Sequence, residues 1–467
     1  MGDDILDKNI NASDNLLNEE SNEDLTELEK TTFSEQDFEG VKAFYNKVDP
    51  DCTSRQAITL SFATKYESEM DATINTSKIK FLFDLFGKGS LNYPSEDKIT
   101  RAYVEKRLPE PSIGFTRQDN RLHLKLATTV PYGHNGIGAY LDLIDFITEQ
   151  IAQPIAKVDS KIIKQTIQDV QDSISQIKSN HDWMASYKFW TKFLPEENPL
   201  TLEKKLELVS QYSYSDLEET FNDFTLRSFP TILYSGNLNQ DDISHPLSYA
   251  TQMFAGNGDE SVIQPAKHRT LKVNEKRHHE FGPSEQTFFY RVIPLKRSPN
   301  SLREQFALSN FTSLLGGGFD SPLMQIIREK YHLVYGVNSS YYHENDVVII
   351  HTNHAPDSFE AIEFLTEDIT SAYLETGFDT SLIDAKKDQL VERMLVGRNA
   401  GRMVTSDMPS FRINKAYSHH VLKLNPLNLP QRYNLLFDMD QEESNEIARN
   451  LFDLENSLVY TYGRDEP

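Results

Sequence analysis

Apolar and polar positions fall into the same order of elements twice along the chain. "QAITLSFATKY" alternates with the period of two of a strand, and "TSKIKFLFDLF" returns apolar residues every three or four positions, as a helix does. The turn "GKGS", a helix in "YPSEDKITRAYVEKRL", the strands "SIGFT" and "RLHLKLATTV" and the amphipathic helix "IGAYLDLIDFITEQI" follow. The second half offers a strand "QTFFYRVIPL", a helix "SLREQFALSNFTSLL", a turn "GGGFDS" and a helix in "PLMQIIREKYH". Strands "VYGVNSSYYH" and "DVVIIHTN" and a helix "DSFEAIEFLTEDITSAYL" complete it. Even the phrases "DFITE" and "EFLTE" correspond, and the helices "DSKIIKQTIQDVQDSISQIKS" and "SLIDAKKDQLVERMLVGRNAG" come next in corresponding places.

Each copy therefore predicts an α+β domain: a mostly antiparallel sheet whose alternating residues are buried under helices packed on one face. The stretch from Ser235 to Glu285, poor in periodic pattern and rich in Gly, Asn, Asp and Pro, reads as the end of the first copy and a linker. The expected division is a tail at 1–39, a first domain at 40–245, a linker at 246–280 and a second domain at 281–467.

Charge adds a distinct tail. Residues 1–40 hold 13 acidic residues against Lys8 and Lys30, which is −11 of the net −24. With almost no aromatic residues, this segment cannot bury enough apolar surface to offset its ordering entropy, and an acidic disordered tail is expected over 1–39. Nucleic acid is not expected as a partner, because no basic stripe offers counterion release. The single Cys52 excludes an internal disulfide framework and a multi-cysteine metal site. No apolar run approaches the ~20 residues of a membrane span, and the acidic N-terminus lacks the basic flank of a leader. These features predict a cytoplasmic protein with no membrane span.

Candidate chemistry gathers in "LLGGGFDSPLMQIIREKYHLVYGV", Leu314 to Val337. A phosphate loop needs a Lys and a hydroxyl residue after its last Gly, whereas Phe319 and Asp320 follow Gly318. The local expectation is a tight turn in which Gly316, Gly317 and Gly318 take backbone angles closed to other residues. Ser321 would be the N-cap of the next helix and Pro322 its first residue. Arg328 falls on that helix, and Tyr335 falls past its end, where a strand begins.

This stretch resembles the C-terminal domain of the M16 metallopeptidases, the clan of pitrilysin and the mitochondrial processing peptidase. There a Gly-rich turn, then "REK", then a "G-L-x-Y" phrase recur. The resemblance spans about residues 40–465 and implies two homologous M16-type (LuxS/MPP-like) domains. It also implies that Arg328 and Tyr335 contact a peptide beside a zinc supplied by another domain, where guanidinium and phenol would stabilise a developing oxyanion. "EKYHLVYG" departs from the family in having His332 where a small residue is usual before the Leu.

Peptide-cleaving members carry His-x-x-Glu-His on a helix of the first domain, two His holding zinc and the Glu acting as general base. The equivalent phrase here is "KFLFDLFGKGS", with Lys80 at the first His, Phe83 at the Glu and Asp84 at the second His. No zinc is expected there. The remaining pairs, His278 and His279, His351 and His354, and His419 and His420, lack a third ligand in view and are read as surface or packing histidines. No metal or other cofactor is expected in this chain.

A lost zinc motif with retained Arg and Tyr resembles the non-catalytic subunits of two-chain M16 peptidases, which implies a zinc-motif M16 paralogue as heterodimer partner and a peptide substrate. "LFGKGSLNYPSEDKITRAYVEKRL" is most similar to the bacterial branch associated with elongation factor P 5-aminopentanol modification. Other relatives mature bacteriocins or other small peptides. The alternatives are a purely structural assembly subunit, a peptide-binding pseudoenzyme with no catalytic contribution, and an autonomous hydrolase with an unrecognised site.

Overall fold

The computed structural model describes residues 33–48, 54–157, 159–194, 200–252, 258–271, 275–396, 403–404, 409–424, 434–435 and 437–464. The expected tail therefore lies outside the described residues up to position 32. Its last part does not follow the expectation of disorder, because Ser34–Phe38 is a strand, β1, hydrogen-bonded to β2 (Val41–Lys47).

Elements are numbered in chain order. The first half continues with β3 (Arg55–Lys65), α1 (Glu69–Lys88), α2 (Glu96–Glu105), β4 (Ser112–Gln118), β5 (Arg121–Pro131) and α3 (His134–Ala152). Next come α4 (Ser160–Ser179), α5 (His181–Phe193), α6 (Leu202–Ser210), α7 (Tyr214–Arg227), β6 (Phe229–Gly236) and α8 (Gln240–Gln252). The second half has β7 (Arg277–Phe281), β8 (Thr287–Pro294), α9 (Leu302–Gly316), a π-helix (Met324–Lys330), β9 (Val334–Tyr342), β10 (Val347–His354), α10 (Phe359–Thr376) and α11 (Thr380–Met394). The short pair β11 (Leu395–Val396) and β12 (Met403–Val404) precedes α12 (Pro409–Ala416), a second π-helix (Tyr417–Val421), α13 (Gln441–Leu451) and β13 (Leu458–Gly463).

Two corrections concern the expected linker 246–280. Its start lies in α8, which runs through Pro246, and its end, Arg277–Phe281, is strand β7 of the second sheet.

Strand orders confirm the internal repeat. One sheet runs β1-β2-β6-β3-β5-β4 and the other β7-β13-β8-β10-β9. Apart from the extra β1, the orders superimpose, and the parallel pair occupies the same place in each: β2 beside β6, and β7 beside β13. All other ladders of these two sheets are antiparallel.

By compactness the chain divides into two units that are not contiguous in sequence. Residues 1–166, 212–266 and 394–430 form the first, and 167–211, 267–393 and 431–467 the second. This differs from the contiguous blocks 40–245 and 281–467, and the cause lies in the sheets. In the second unit, Phe289, Ile293, Val348 and Ile350 point to one face and pack with Leu308, Phe311 and Leu315 of α9 and Ile362 of α10. The intervening residues Phe288, Tyr290, Val292, Val347 and Ile349 point to the other face, where Ala185, Phe189 and Phe193 of α5 cover them. The first unit does the same: Phe44, Ala57 and Leu233 are covered by Ile413, Ala416, Tyr417 and Val421 from α12 and the second π-helix. So helices pack on the expected face of each sheet, and a further layer, drawn from the other half of the sequence, covers the opposite face.

Polar contacts fix that layer in the first unit. Arg412 Nη1 donates to Asn46 Oδ1 at 3.2 Å, Gln118 Nε2 to the Leu422 carbonyl at 3.1 Å and Lys125 Nζ to Asn414 Oδ1 at 2.6 Å. In the second unit the anchor is aromatic. Phe189, fully buried, stacks on Tyr290 at 4.8 Å and meets Tyr460 edge-on at 5.4 Å. Phe189→Ala is expected to cost about 3–5 kcal/mol in urea unfolding, as truncation of a buried Phe does. Trp183→Ala, at a largely exposed position of the same helix, should stay within about 0.5 kcal/mol. Equal losses from the two would mean that α5 is not a packed layer.

Candidate functional site

The three positions at which the resemblance would put a zinc motif lie together on α1. Lys80 and Asp84 are exposed, one turn apart, while Phe83 is half-buried. The Phe83 ring makes edge contacts with Phe86 and Phe115 at 5.5 Å and Phe221 at 5.9 Å. The position expected of a general base is thus part of an aromatic cluster joining α1, β4 and α7. These residues do not fit zinc: an ammonium repels a dication, a phenyl ring offers no lone pair, and one carboxylate falls short of the three protein ligands a catalytic zinc needs. Among the described residues, no group of three or more His, Cys, Asp or Glu side chains is placed to hold a metal ion.

The histidines singled out in the sequence each have a packing role. His278 stacks on Tyr460 at 5.8 Å, His279 Nδ1 lies 2.9 Å from Thr461 Oγ1, and His354 Nδ1 lies 2.7 Å from the Ala355 carbonyl. His420 stacks on Phe44 at 4.0 Å, and burial pushes its pKa down to about 4. His419 meets the His420 ring edge-on. His351 lies against Tyr290 at 4.5 Å.

The glycine turn, the π-helix and β9 hold Arg328 and Tyr335, all within the second unit. Leu323, Met324 and Ile327 are buried and anchor the π-helix, and Met324 Sδ accepts the Val337 N–H at 3.3 Å. Arg328 stands away from that buried side. Its guanidinium carbon lies 5.2 Å from the centre of the Tyr335 ring and 5.3 Å from that of Phe319, within cation–π range of both. Both rings are open to solvent, Tyr335 at 85% and Phe319 at 70% exposure. Arg328 Nε also lies 3.3 Å from Glu329 Oε1.

Two backbone irregularities aim this pair. Val337 pairs with Thr352 but Val334 with His354, so three steps of β9 match two of β10. The extra residue is a bulge at Tyr335–Gly336, closed by a 2.6 Å hydrogen bond from Thr352 Oγ1 to the Gly336 carbonyl. Both Val334 and Val337 are core residues, and with strict alternation Tyr335 would share the buried face of Val337. The bulge turns it outward instead. At the other end, His332 has φ of 54°, the left-handed region, and its N–H bonds the Arg328 carbonyl at 3.0 Å. That conformation explains the departure noted at this position, since a glycine there carries no Cβ penalty while His is among the side chains that tolerate it.

The glycine turn corrects one expectation. None of Gly316, Gly317 and Gly318 has a positive φ. What excludes side chains is closeness: a Cβ on Gly316 would lie 2.7 Å from the Ser339 nitrogen, and one on Gly317 2.4 Å from the Ser313 carbonyl oxygen. At Gly318 it would meet only the end of Lys386, at 3.3 Å. Pro322 begins the helix as expected. Ser321 precedes it, but its hydroxyl donates back to the Gly318 carbonyl at 2.6 Å rather than capping a helix N–H. Sequence reasoning missed Phe319 and the bulge. An aromatic directly after three glycines was the available sign of the first; nothing local signals the second.

Gly316→Ala and Gly317→Ala are each expected to destabilise by about 1–3 kcal/mol through overpacking, with Gly318→Ala nearly neutral. His332→Gly should be neutral to stabilising by up to ~1 kcal/mol, as relief of the left-handed Cβ outweighs added chain entropy. Urea denaturation of the four variants checks the order; a loss at Gly318 equal to that at Gly316 would contradict the geometry.

Comparison with known proteins supports the same architecture. Residues 211–390 match the family model described as the peptidase M16 inactive domain. No curated protein matches the sequence. A solved conserved protein from Enterococcus faecalis V583 aligns at a TM-score of 0.69 and 15% identity, over 93% of this chain and all of that one. A peptidase M16 inactive domain from Pseudomonas fluorescens aligns at 0.68 and 14%, over 93% of this chain and 98% of that one. A protease from Helicobacter pylori aligns at 0.62 and 12%, over 94% of this chain and 100% of that one. At such identities the likeness is one of fold, so the chain has the two-domain α+β fold of M16-like proteins, and its residues 211–390 match the inactive domain of that family.

Proposed function

We propose that this chain is the zinc-less subunit of a heteromeric M16-type peptidase, pairing with a zinc-motif paralogue and presenting Arg328 and Tyr335 to a peptide held there. One contrast carries the reading. The zinc positions hold Lys80, Phe83 and Asp84, whereas Arg328, half-buried, stands beside Tyr335, which a bulge leaves exposed. In attack on an amide carbonyl, negative charge builds on its oxygen. A guanidinium and a phenol O–H that need no rearrangement to meet that charge lower the barrier most in a site shielded from water. Phe319 adds a second ring within cation–π range of the same guanidinium.

The peptide would be held through its main chain. β9, which carries Tyr335, is an edge strand, suited to pairing with an extended segment irrespective of its sequence. The single Cys52 supports a reducing, cytoplasmic setting, and among the described residues no helix is long and apolar enough to cross a membrane. The bacterial branch associated with elongation factor P modification remains the assignment favoured by the N-terminal phrase.

A second reading has its own support. Phe83 has become part of a packed cluster, and the Arg328 guanidinium is already engaged by Phe319, Tyr335 and Glu329, so the unit could serve only as an assembly or peptide-holding scaffold. Reconstitution with the zinc-bearing paralogue separates the two. Arg328→Ala and Tyr335→Phe should each lower turnover by roughly 10²-fold without dissociating the complex. Unchanged turnover in both would leave the scaffold.

A further inference from the structure

The face of the second sheet that α5 covers carries a recess that the Arg328 site does not use. It lies within the second unit and has a volume of about 140 Å³. Drug-sized ligands occupy roughly 300–1,000 Å³, so this recess takes a single functional group with its stem rather than a nucleotide or an extended peptide. Asp182 and Trp190 enter from α5, Tyr290 from β8, Asn338 and Tyr342 from β9 and His351 from β10.

Its walls are aromatic and its only formal charge is negative. The Trp190 and Tyr342 rings lie 5.1 Å apart, tilted by 58°, and the Tyr290 and His351 rings 4.5 Å apart. Asp182 is the one carboxylate in the lining, and no Lys or Arg lines it. His351 Nε2 lies 3.6 Å from Asp182 Oδ1, beyond hydrogen-bond reach, and burial pushes its pKa down. An apolar occupant would leave the buried His351 Nε2 without a partner, at a desolvation cost. An anion would meet a carboxylate and no cation. A metal ion would find fewer than three ligating His, Cys, Asp or Glu side chains.

We propose that this recess binds an organic cation of side-chain size, an ammonium or guanidinium group, with Trp190 and Tyr342 offering ring faces and Asp182 the counter-charge. The cation can be carried on a Lys or Arg side chain of a peptide or arrive as a free amine; the chemistry of recognition is shared. The site does not depend on the paired-peptidase reading, because it is complete in this chain.

Trp183 and Trp190 are the two tryptophans of the chain, so Trp183→Phe leaves Trp190 as the reporter in the wall of the recess. The full-length Trp183→Phe protein is titrated with Nα-acetyl-lysine amide, Nα-acetyl-arginine amide, Nα-acetyl-norleucine amide and n-butylammonium, following Trp190 emission. A saturable change at millimolar concentration is expected with the lysine or arginine compound and not with norleucine. Adding Asp182→Asn, at a mostly exposed side chain, should weaken that response about tenfold, with circular dichroism unchanged. Tighter binding of the lysine amide than of n-butylammonium assigns the recess to peptide side chains, and equal binding assigns it to free amines. No saturable response, an equal response to norleucine, or indifference to Asp182→Asn overturns the proposal.

Discussion

A sheet whose strands carry apolar residues on both faces has to be covered twice, and this requirement governs the rest of the structure. β3 shows it most plainly: from Gln56 to Thr64 every residue is buried. Its large residues, Ile58, Leu60 and Phe62, alternate with Ala57, Thr59 and Ser61, small enough to admit a second helical layer at close range. In the second unit the same need is met by α5, whose Phe189 and Phe193 fill the face that α9 and α10 leave open. Burying that much aromatic surface is worth several kcal/mol for each large side chain, which explains why segments far along the chain are drawn into each unit.

The candidate site is built on the sheet that this packing steadies. β9 is the outer strand of its sheet and can accept a bulge because only β10 pairs with it. The bulge at Tyr335–Gly336, the π-turns before it and the left-handed His332 between them are departures from regular geometry in one short stretch. Bulges and π-turns cluster where side chains must be aimed rather than buried, and here they expose Tyr335 beside a half-buried Arg328. The contrast with α1 is chemical as well as geometric. There the helix is regular, and Phe83 turns into a ring cluster instead of presenting a base.

The layer that completes the second sheet also creates the small aromatic recess, because Asp182, near the start of α5, and Trp190, near its end, line it together with residues of β9 and β10, while Phe189 packs into the core. One structural device therefore gives both the stability of the sheet and a polar cavity at its margin. The two sites, one on the bulge and one on the covered face, involve different residues of β9: Tyr335 in the first, Asn338 and Tyr342 in the second.

The sequence by itself determined the repeat, the α+β class and most of the strands and helices, because periods of two and of three to four survive in any local window. It also placed Arg328 beyond the glycine turn and Tyr335 at the start of a strand. Other features needed tertiary structure. Thr59 and Ser61 look like solvent-facing positions of an alternating strand, yet a segment about 350 residues away buries them. Gly316 looks like a turn residue needing unusual angles, yet what it requires is room beside Ser339. The outward aim of Tyr335 depends on a mismatch of register between two strands, which neither strand records alone. Local sequence encodes which faces are apolar, but what covers a face, and where pairing slips by one residue, is decided only when distant segments compete for the same surface.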